Sequence, residues 1–269
     1  MTGLIDTHTH LYLPEFADDE SCEGAPDAVD RAVDAGVGHL IFPNVDLTTI
    51  QPMKRLAARH PSHVSMAMGL HPTEVADDWK EALQTIHAEL QSGIYIAVGE
   101  VGIDLYWDAS RRQQQMEAFD AQLDMARQLG LPVIIHCRNA LDETLEVLQG
   151  HPSVAAVMHS FGGTADDVSR ILKTGPYYFG INGILTFKKS TLPDAVAAIP
   201  PERLLLETDA PYLAPVPMRG RRNESAYLTH TASRLAETLG MDGQAVATLT
   251  SDNARRLFAI ADHNDRIDS

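Results

Sequence analysis

Four histidines and two carboxylates in this chain follow short apolar, β-prone runs. His8 and His10 follow Leu4-Ile5-Asp6-Thr7, Glu100 follows Ile96-Ala97-Val98-Gly99, and His136 follows Val133-Ile134-Ile135. His159 follows Ala156-Val157-Met158, and Asp209 follows Leu204-Leu205-Leu206-Glu207-Thr208. Imidazoles and carboxylates are ligands for divalent cations, and this set is too large for one tetrahedral zinc but suits a pair of ions. Two ions a few ångströms apart hydrolyse phosphate esters and amides. The expectation is metal-assisted hydrolysis, provided that the runs are strands and that their ends meet.

The spacing within each run adds detail. His8 and His10 are two apart, so on a strand they share a face, with Asp6 one step deeper in the same row. There Asp6 could accept a hydrogen bond from a ligand imidazole and fix its tautomer. Glu100 ends its run and, with two oxygens, could bridge two ions; a strand-end carboxylate can also simply face water. A lone histidine after Val-Ile-Ile can be a satisfied core residue, but His136 and His159 at equivalent positions strain that explanation. Glu207 and Asp209 repeat the two-residue spacing. Asp209 lies nearer the top, as a ligand that orients or deprotonates a water, and Glu207 lies deeper behind it.

Other residues surround this set. His71, in Gly69-Leu70-His71-Pro72, could touch a phosphate, protonate a leaving oxygen, or merely cap its strand. Arg219, Arg221 and Arg222 in one glycine-containing loop, and Arg138 just after His136, have the forked donors that suit phosphate. Tyr106 and Trp107 could stack on a base or pack over the rim. Gly162-Gly163-Thr164 offers backbone N–H groups at a helix start. The remaining histidines carry no such context; His60 and His151 suit the negative end of a helix dipole.

The elements that would position these residues alternate regularly. Strands are expected at Leu4–Thr7, His39–Val45, Ser65–Leu70, Tyr95–Glu100, Pro132–Cys137, Ala155–Ser160, Tyr177–Asn182 and Arg203–Asp209. Helices are expected at Pro26–Ala35, Thr48–His60, Asp78–Gln91, from an N-cap at Ser110 to Gly130, and at Ala140–Leu148, Thr164–Lys173 and Thr191–Ala198. Two more close the chain, at Leu228–Leu239 and Gln244–Ile260. Regular alternation implies parallel strands. Eight strands, no Gly-x-Gly-x-x-Gly after the first, and ligands spread over strands one, four, five, six and eight favour a closed (β/α)8 TIM barrel over an open sheet. The metal site would lie at the C-terminal ends of its strands.

Length and composition agree. The 269 residues with no linker fit one domain spanning 1–269, and 44% hydrophobic residues supply a core. Only Cys22 and Cys137 are cysteines, no leader or membrane-spanning run is visible, and a reduced cytoplasmic protein without an obligate protein partner is expected. A net charge of −16 with five lysines disfavours a processive grip on duplex nucleic acid. It leaves room for a pocket that takes a strand end.

With these residues in place, the chain resembles the TatD family of metal-dependent deoxyribonucleases, in the amidohydrolase-like superfamily of TIM barrels. The resemblance covers essentially the whole chain. It rests on Asp6-Thr7-His8-Thr9-His10, Gly69-Leu70-His71-Pro72, Gly99-Glu100-Val101-Gly102-Ile103-Asp104 and Ile135-His136-Cys137-Arg138. It continues in His159-Ser160-Phe161-Gly162-Gly163, the run from Glu207 to Pro215, and Arg219-Gly220-Arg221-Arg222-Asn223-Glu224. It implies that His8, His10, Glu100 and Asp209 hold one ion while Glu100, His136 and His159 hold another, the ions being magnesium, zinc or manganese. The implied activity is a phosphodiesterase that trims single-stranded DNA from its 3′ end. The alternative within the superfamily is a metal-dependent deacylase, such as one acting on D-aminoacyl-tRNA. Glu100, in place of the carbamylated lysine of many amidohydrolases, favours phosphoester chemistry by analogy. Ser225 departs from the family's proline after Asn-Glu, which bears on loop rigidity and not on the ligands.

Overall fold

A computed structural model describes residues 3–21 and 27–261; Cys22, the expected helix start at Pro26, and His263 lie outside the described residues. The eight strands are β1 (Leu4–Asp6), β2 (Val37–Pro43), β3 (Val64–Met68), β4 (Tyr95–Asp104), β5 (Val133–Arg138), β6 (Ala156–Met158), β7 (Tyr178–Ile181) and β8 (Leu204–Leu206). They pair in parallel in sequence order. The last returns to the first through Thr7 N–H to the Leu206 carbonyl at 3.0 Å and Asp209 N–H to the His8 carbonyl at 2.9 Å. The architecture is a (β/α)8 TIM barrel.

The helices are α1 (Ala17–Ser21), α2 (Ala28–Asp34), α3 (Ile50–Arg59), α4 (Trp79–Leu90), α5 (Arg112–Leu129), α6 (Leu141–Leu148), α7 (Ala165–Thr174), α8 (Leu192–Val196), α9 (Leu228–Leu239) and α10 (Gly243–Phe258). Their signals are local. Asp27 caps α2 by accepting from the N–H groups of Val29 and Asp30, and Thr164 and Asp167 form a capping box on α7. Gly130 ends α5 in the left-handed conformation, φ 68°. Ser110, expected to cap α5, instead sits in a 3₁₀ turn whose cap is Asp108; the helix itself starts at Arg112. None of the described helices is long and apolar enough to cross a membrane.

Two apolar clusters organise the interior. One residue from each strand fills the barrel: Ile5, Ile41, Ala67, Ala97, Ile134, Val157, Tyr178 and Leu205. Ala254, Leu257 and Phe258 of α10 join them. The second, larger cluster lies between strands and helices and takes the alternate residues, such as Leu4, Leu40, Val98, Val133 and Leu204. On β5 and β6 this alternation puts His136 and His159 on the same side as Ile134 and Val157.

It overturns one expectation. Ile5 faces the barrel interior and Leu4 the helices, so Asp6 shares the side of Leu4 and not that of an inward row. Its carboxylate accepts from Thr208 N–H at 2.9 Å, Thr208 Oγ1 at 2.7 Å and His8 N–H at 3.3 Å. Asp6 therefore braces the ends of β1 and β8 and touches no ligand ring.

Glu100 was expected to end its strand, yet β4 runs on to Asp104, pairing Gly102 with His136 and Asp104 with Arg138. Between Val98 and Val101 the register with β5 shifts. Asn44 takes up the irregular segment: its N–H reaches the Gly99 carbonyl at 3.1 Å, and its carbonyl accepts Glu100 N–H at 3.0 Å. A bulge of this kind inverts the alternation. Ala97 faces in and Val98 out below it, while Val101 and Ile103 face out above it. Glu100, Gly102 and Asp104 thereby share the inner side. At Gly102, φ is +141° and a Cβ would lie 2.0 Å from the His136 carbonyl oxygen, so only glycine lets the two strands meet there.

Candidate metal centre

The six expected donors converge above the packed layer. Glu100 is buried at their middle, and its two oxygens face different partners. Oε2 lies 3.2 Å from His8 Nε2 and 3.6 Å from His10 Nε2. Oε1 lies 2.7 Å from His136 Nδ1 and 3.7 Å from His159 Nε2. Asp209 Oδ1 stands 3.9 Å from the Nε2 atoms of His8, His10 and His159. Asp209 lies past the end of β8 in the left-handed region, φ 58°, a conformation Asp tolerates. His8 and His159 stack with ring centroids 3.4 Å apart.

His71 joins the cluster. Its Nδ1 caps a 3₁₀ turn by accepting from Thr73 N–H, while Nε2 lies 3.3 Å from both Glu100 Oε1 and His136 Nδ1. Both expected roles, strand-end cap and site residue, are thus geometrically available to one ring.

Residues behind the donors set their tautomers. Tyr12 donates its hydroxyl proton to the Pro43 carbonyl, so its oxygen accepts from His10 Nδ1 at 2.9 Å and leaves Nε2 of His10 as a lone pair aimed inward. Asp104 accepts from His136 Nε2 at 2.9 Å and leaves Nδ1 to face Glu100. Glu207 Oε1 accepts Ser160 N–H at 2.6 Å and lies at ion-pair distance, 3.0 Å, from His159 Nδ1, off the line of a hydrogen bond. Sequence reasoning found Glu207 but missed Tyr12 and Asp104. The available signals were the continued two-residue spacing in His8-x-His10-x-Tyr12 and Glu100-x-Gly102-x-Asp104.

The electrostatics describe a nest of donors built for cations. Burial raises a lone carboxyl, yet the imidazoles of His71, His8 and His159 hold Glu100 well below the usual carboxylate range. Burial, with His159 beside it, depresses His8 strongly. Burial pushes Asp209 up to about 6, against the pull of His159 and His10. Burial would lower His159, but Glu207, Glu100 and Asp209 push it up to about 10. The Nε2 atoms of His8 and His10 meet at 3.0 Å, where at most one proton can sit between two lone pairs. Buried lone pairs that outnumber their protons fit divalent ions. Donor atoms of His8, Glu100 and His159, of His8, His10 and Asp209, and of His71, Glu100 and His136 each lie within 4.8 Å of one another.

Around the rim, Arg138 stacks on Tyr106 at 3.9 Å and Arg219 on Phe187 at 3.9 Å. Arg221 is exposed. Arg222 donates to the Glu15 carbonyl and to Asp19 and covers Phe16, so its fork is already engaged. Arg31 adds bonds to Asp19 and Glu224, and this network anchors the arginine loop. Gly162 and Gly163 precede a helix whose cap is Thr164. Away from the site, His60 pairs with Asp27 and His151 with Asp120, each at 2.8 Å.

Comparison with known proteins points one way. The family model described as TatD related DNase matches residues 5–259. The chain is 34% identical over 260 residues to YabD of Bacillus subtilis, named an uncharacterized metal-dependent hydrolase, covering 96% of this chain and 99% of that one. It is 35% identical over 266 residues to the 3′-5′ ssDNA/RNA exonuclease TatD of Enterobacter lignolyticus, covering 96% and 100%. Among solved structures, YJJV, a TatD homologue from Escherichia coli, superposes with a TM-score of 0.87 at 30% identity, covering 96% of this chain and 98% of that one.

Proposed function

Because this chain belongs to the TatD related DNase family, we propose that it is a divalent-metal-dependent phosphodiesterase removing nucleotides from the 3′ end of single-stranded DNA. The observation that carries this reading is the division of Glu100's oxygens, one toward His8 and His10 and the other toward His136 and His159. His8, His10, Glu100 and Asp209 would hold one ion, and Glu100, His136 and His159 a second, of magnesium, zinc or manganese. Such ions, when bound, supply Lewis-acid neutralisation of the phosphate oxygens.

The chain's own groups supply the rest. Asp209 orients the attacking water and takes its proton at Oδ1, a role served by a carboxyl that burial has moved toward neutrality. His71 presents Nε2 beside Glu100, placed to touch the phosphate or the leaving 3′ oxygen. Tyr12, Asp104 and Glu207 keep the ligand rings turned inward. Arg138, Arg219 and Arg221 stand on the rim as phosphate contacts, and Arg222 holds the loop of the latter two through Asp19. A pocket with few cations and an acidic exterior fits a strand end better than a long duplex. RNA, included in the names of several relatives, is a second strand chemistry to try.

The test is hydrolysis of bis(p-nitrophenyl) phosphate and of a short single strand by protein reloaded with each ion in turn, with D-aminoacyl-tRNA in parallel. Phosphodiester cleavage that chelator abolishes and metal restores is the expected result. Deacylation without phosphodiester cleavage would replace the proposal with the deacylase reading.

A further inference from the structure

One group on the rim has no part in this chemistry. Tyr106 and Trp107 follow β4 directly and are 53% and 69% exposed. Exposure of two large aromatics side by side forfeits burial that the fold could have used. Their rings meet edge to face at 5.0 Å, and the Arg138 guanidinium lies 3.9 Å from the first ring and 5.5 Å from the second.

The loop that carries them is held firmly. Asp104 Oδ1 accepts the N–H groups of Tyr106 and Trp107 at 2.9 and 3.1 Å, and Leu105 N–H reaches the Arg138 carbonyl at 2.9 Å. Gln115 bonds both the N–H and the carbonyl of Asp104. The other oxygen of Asp104 accepts from His136. One carboxylate thus fixes the aromatic pair and a donor of the metal centre in a single frame. Beside Trp107 lies a cleft of about 170 Å³, walled by Asp104, Arg111, Gln115, Thr73 and Glu74. It lies between this loop and the one that begins at His71.

We propose that Trp107, with Tyr106 and Arg138, is a stacking site for the nucleobase adjoining the bond being cut, with the neighbouring cleft receiving the edge of that base. The proposal rests on the strand-trimming reading given above. An indole face accepts any base, and an arginine stacked alongside adds a cation without reading sequence. The site therefore favours a strand end that carries bases over a bare sugar-phosphate end.

The experiment compares a normal single strand with strands made abasic at the last or the last-but-one nucleotide, using wild type, Trp107→Ala and Trp107→Phe. The wild type should favour the normal strand by about five- to hundred-fold in kcat/KM, carried mainly by KM. Trp107→Phe should keep most of that preference, and Trp107→Ala should lose it. The abasic position that matters identifies the stacked base. The proposal is overturned if the wild type treats abasic and normal ends alike, or if Trp107→Ala keeps the preference. The same ratio is read by fluorescence anisotropy with calcium present, which requires no cleavage. A wild type that cuts no phosphodiester would defeat the strand-trimming reading, and the binding ratio would still decide this one.

Discussion

Replacing Asp104 with asparagine tests the architecture behind the metal ligands with a change of one atom. Asp104 Oδ1 is committed to the two N–H groups of Tyr106 and Trp107, and Oδ2 accepts from His136 Nε2. An asparagine must keep its oxygen on the two backbone donors, so its NH₂ points at His136. A donor there forces His136 Nε2 to accept, which moves the ring proton to Nδ1, the nitrogen that faces Glu100. The ligand nitrogen is then blocked. Loss of such an outer partner lowers metal affinity by roughly 10- to 100-fold, about 1.4–2.7 kcal/mol. The loop bonds survive, so thermal stability should move by less than about 1 kcal/mol. Competition against a chromophoric chelator measures the affinity, and nitrogen chemical shifts of the imidazole report the tautomer. Unchanged affinity, or a weakened site with His136 still protonated on Nε2, would refute the reasoning.

Further outcomes follow from other parts of the molecule. Protein loaded with metal should carry two ions per chain. Burial would lower His159, but Glu207, Glu100 and Asp209 hold it at about 10, so it keeps a proton at neutral pH that an ion must displace. Affinity should therefore rise with pH and uptake should release protons, read by calorimetry in two buffers; a single ion per chain or no proton release contradicts this. Asp27→Ala removes the α2 cap and strands Arg59 and His60, and should lower Tm by roughly 3–10 °C. Burial opposes ionisation of Asp27, but its bonds to Asp30 N–H, His60 and Arg59 hold its carboxyl below the ordinary value. That share of stability is present above the usual carboxyl range and is lost as pH falls through the depressed value, so Asp27→Asn should flatten the acid limb of a Tm-against-pH curve. Single-strand binding should show a shallow salt dependence, a slope of about −0.7 for each of roughly two or three phosphate contacts. Arg221→Ala should remove about one contact, whereas a slope equal to eight or more contacts would exclude an end-holding pocket.

Much of the fold was readable because βα alternation and strand-end donors are both local patterns. All eight strands lie where the apolar runs placed them, and boundaries shift by a residue or two where 3₁₀ turns compete, as at Arg203 before β8 and Ser110 before α5. The α1 turn at Ala17–Ser21, a mostly acidic stretch, carried no helix period long enough to see. What sequence could not supply was parity. Whether Asp6 faces in depends on which of Leu4 and Ile5 the barrel swallows, and period two looks the same either way. Glu100 faces in only because the chain slips between Val98 and Val101, a tertiary event held by Asn44. The same slip puts Asp104 on the inner side, where it meets His136. Arg222 likewise read as a phosphate fork, and only the fold brings Asp19 beneath it.

The central claim, that two ions sharing Glu100 cut phosphodiesters at a strand's 3′ end, is tested most directly by following one single strand labelled separately at each end. With manganese-loaded protein, the 3′ label should be released at once as a mononucleotide while the 5′ label passes through a ladder of gradually shortened strands, and Glu100→Gln should show neither. Release of the 5′ label first, internal fragments without a ladder, or undiminished cutting by Glu100→Gln would contradict the account.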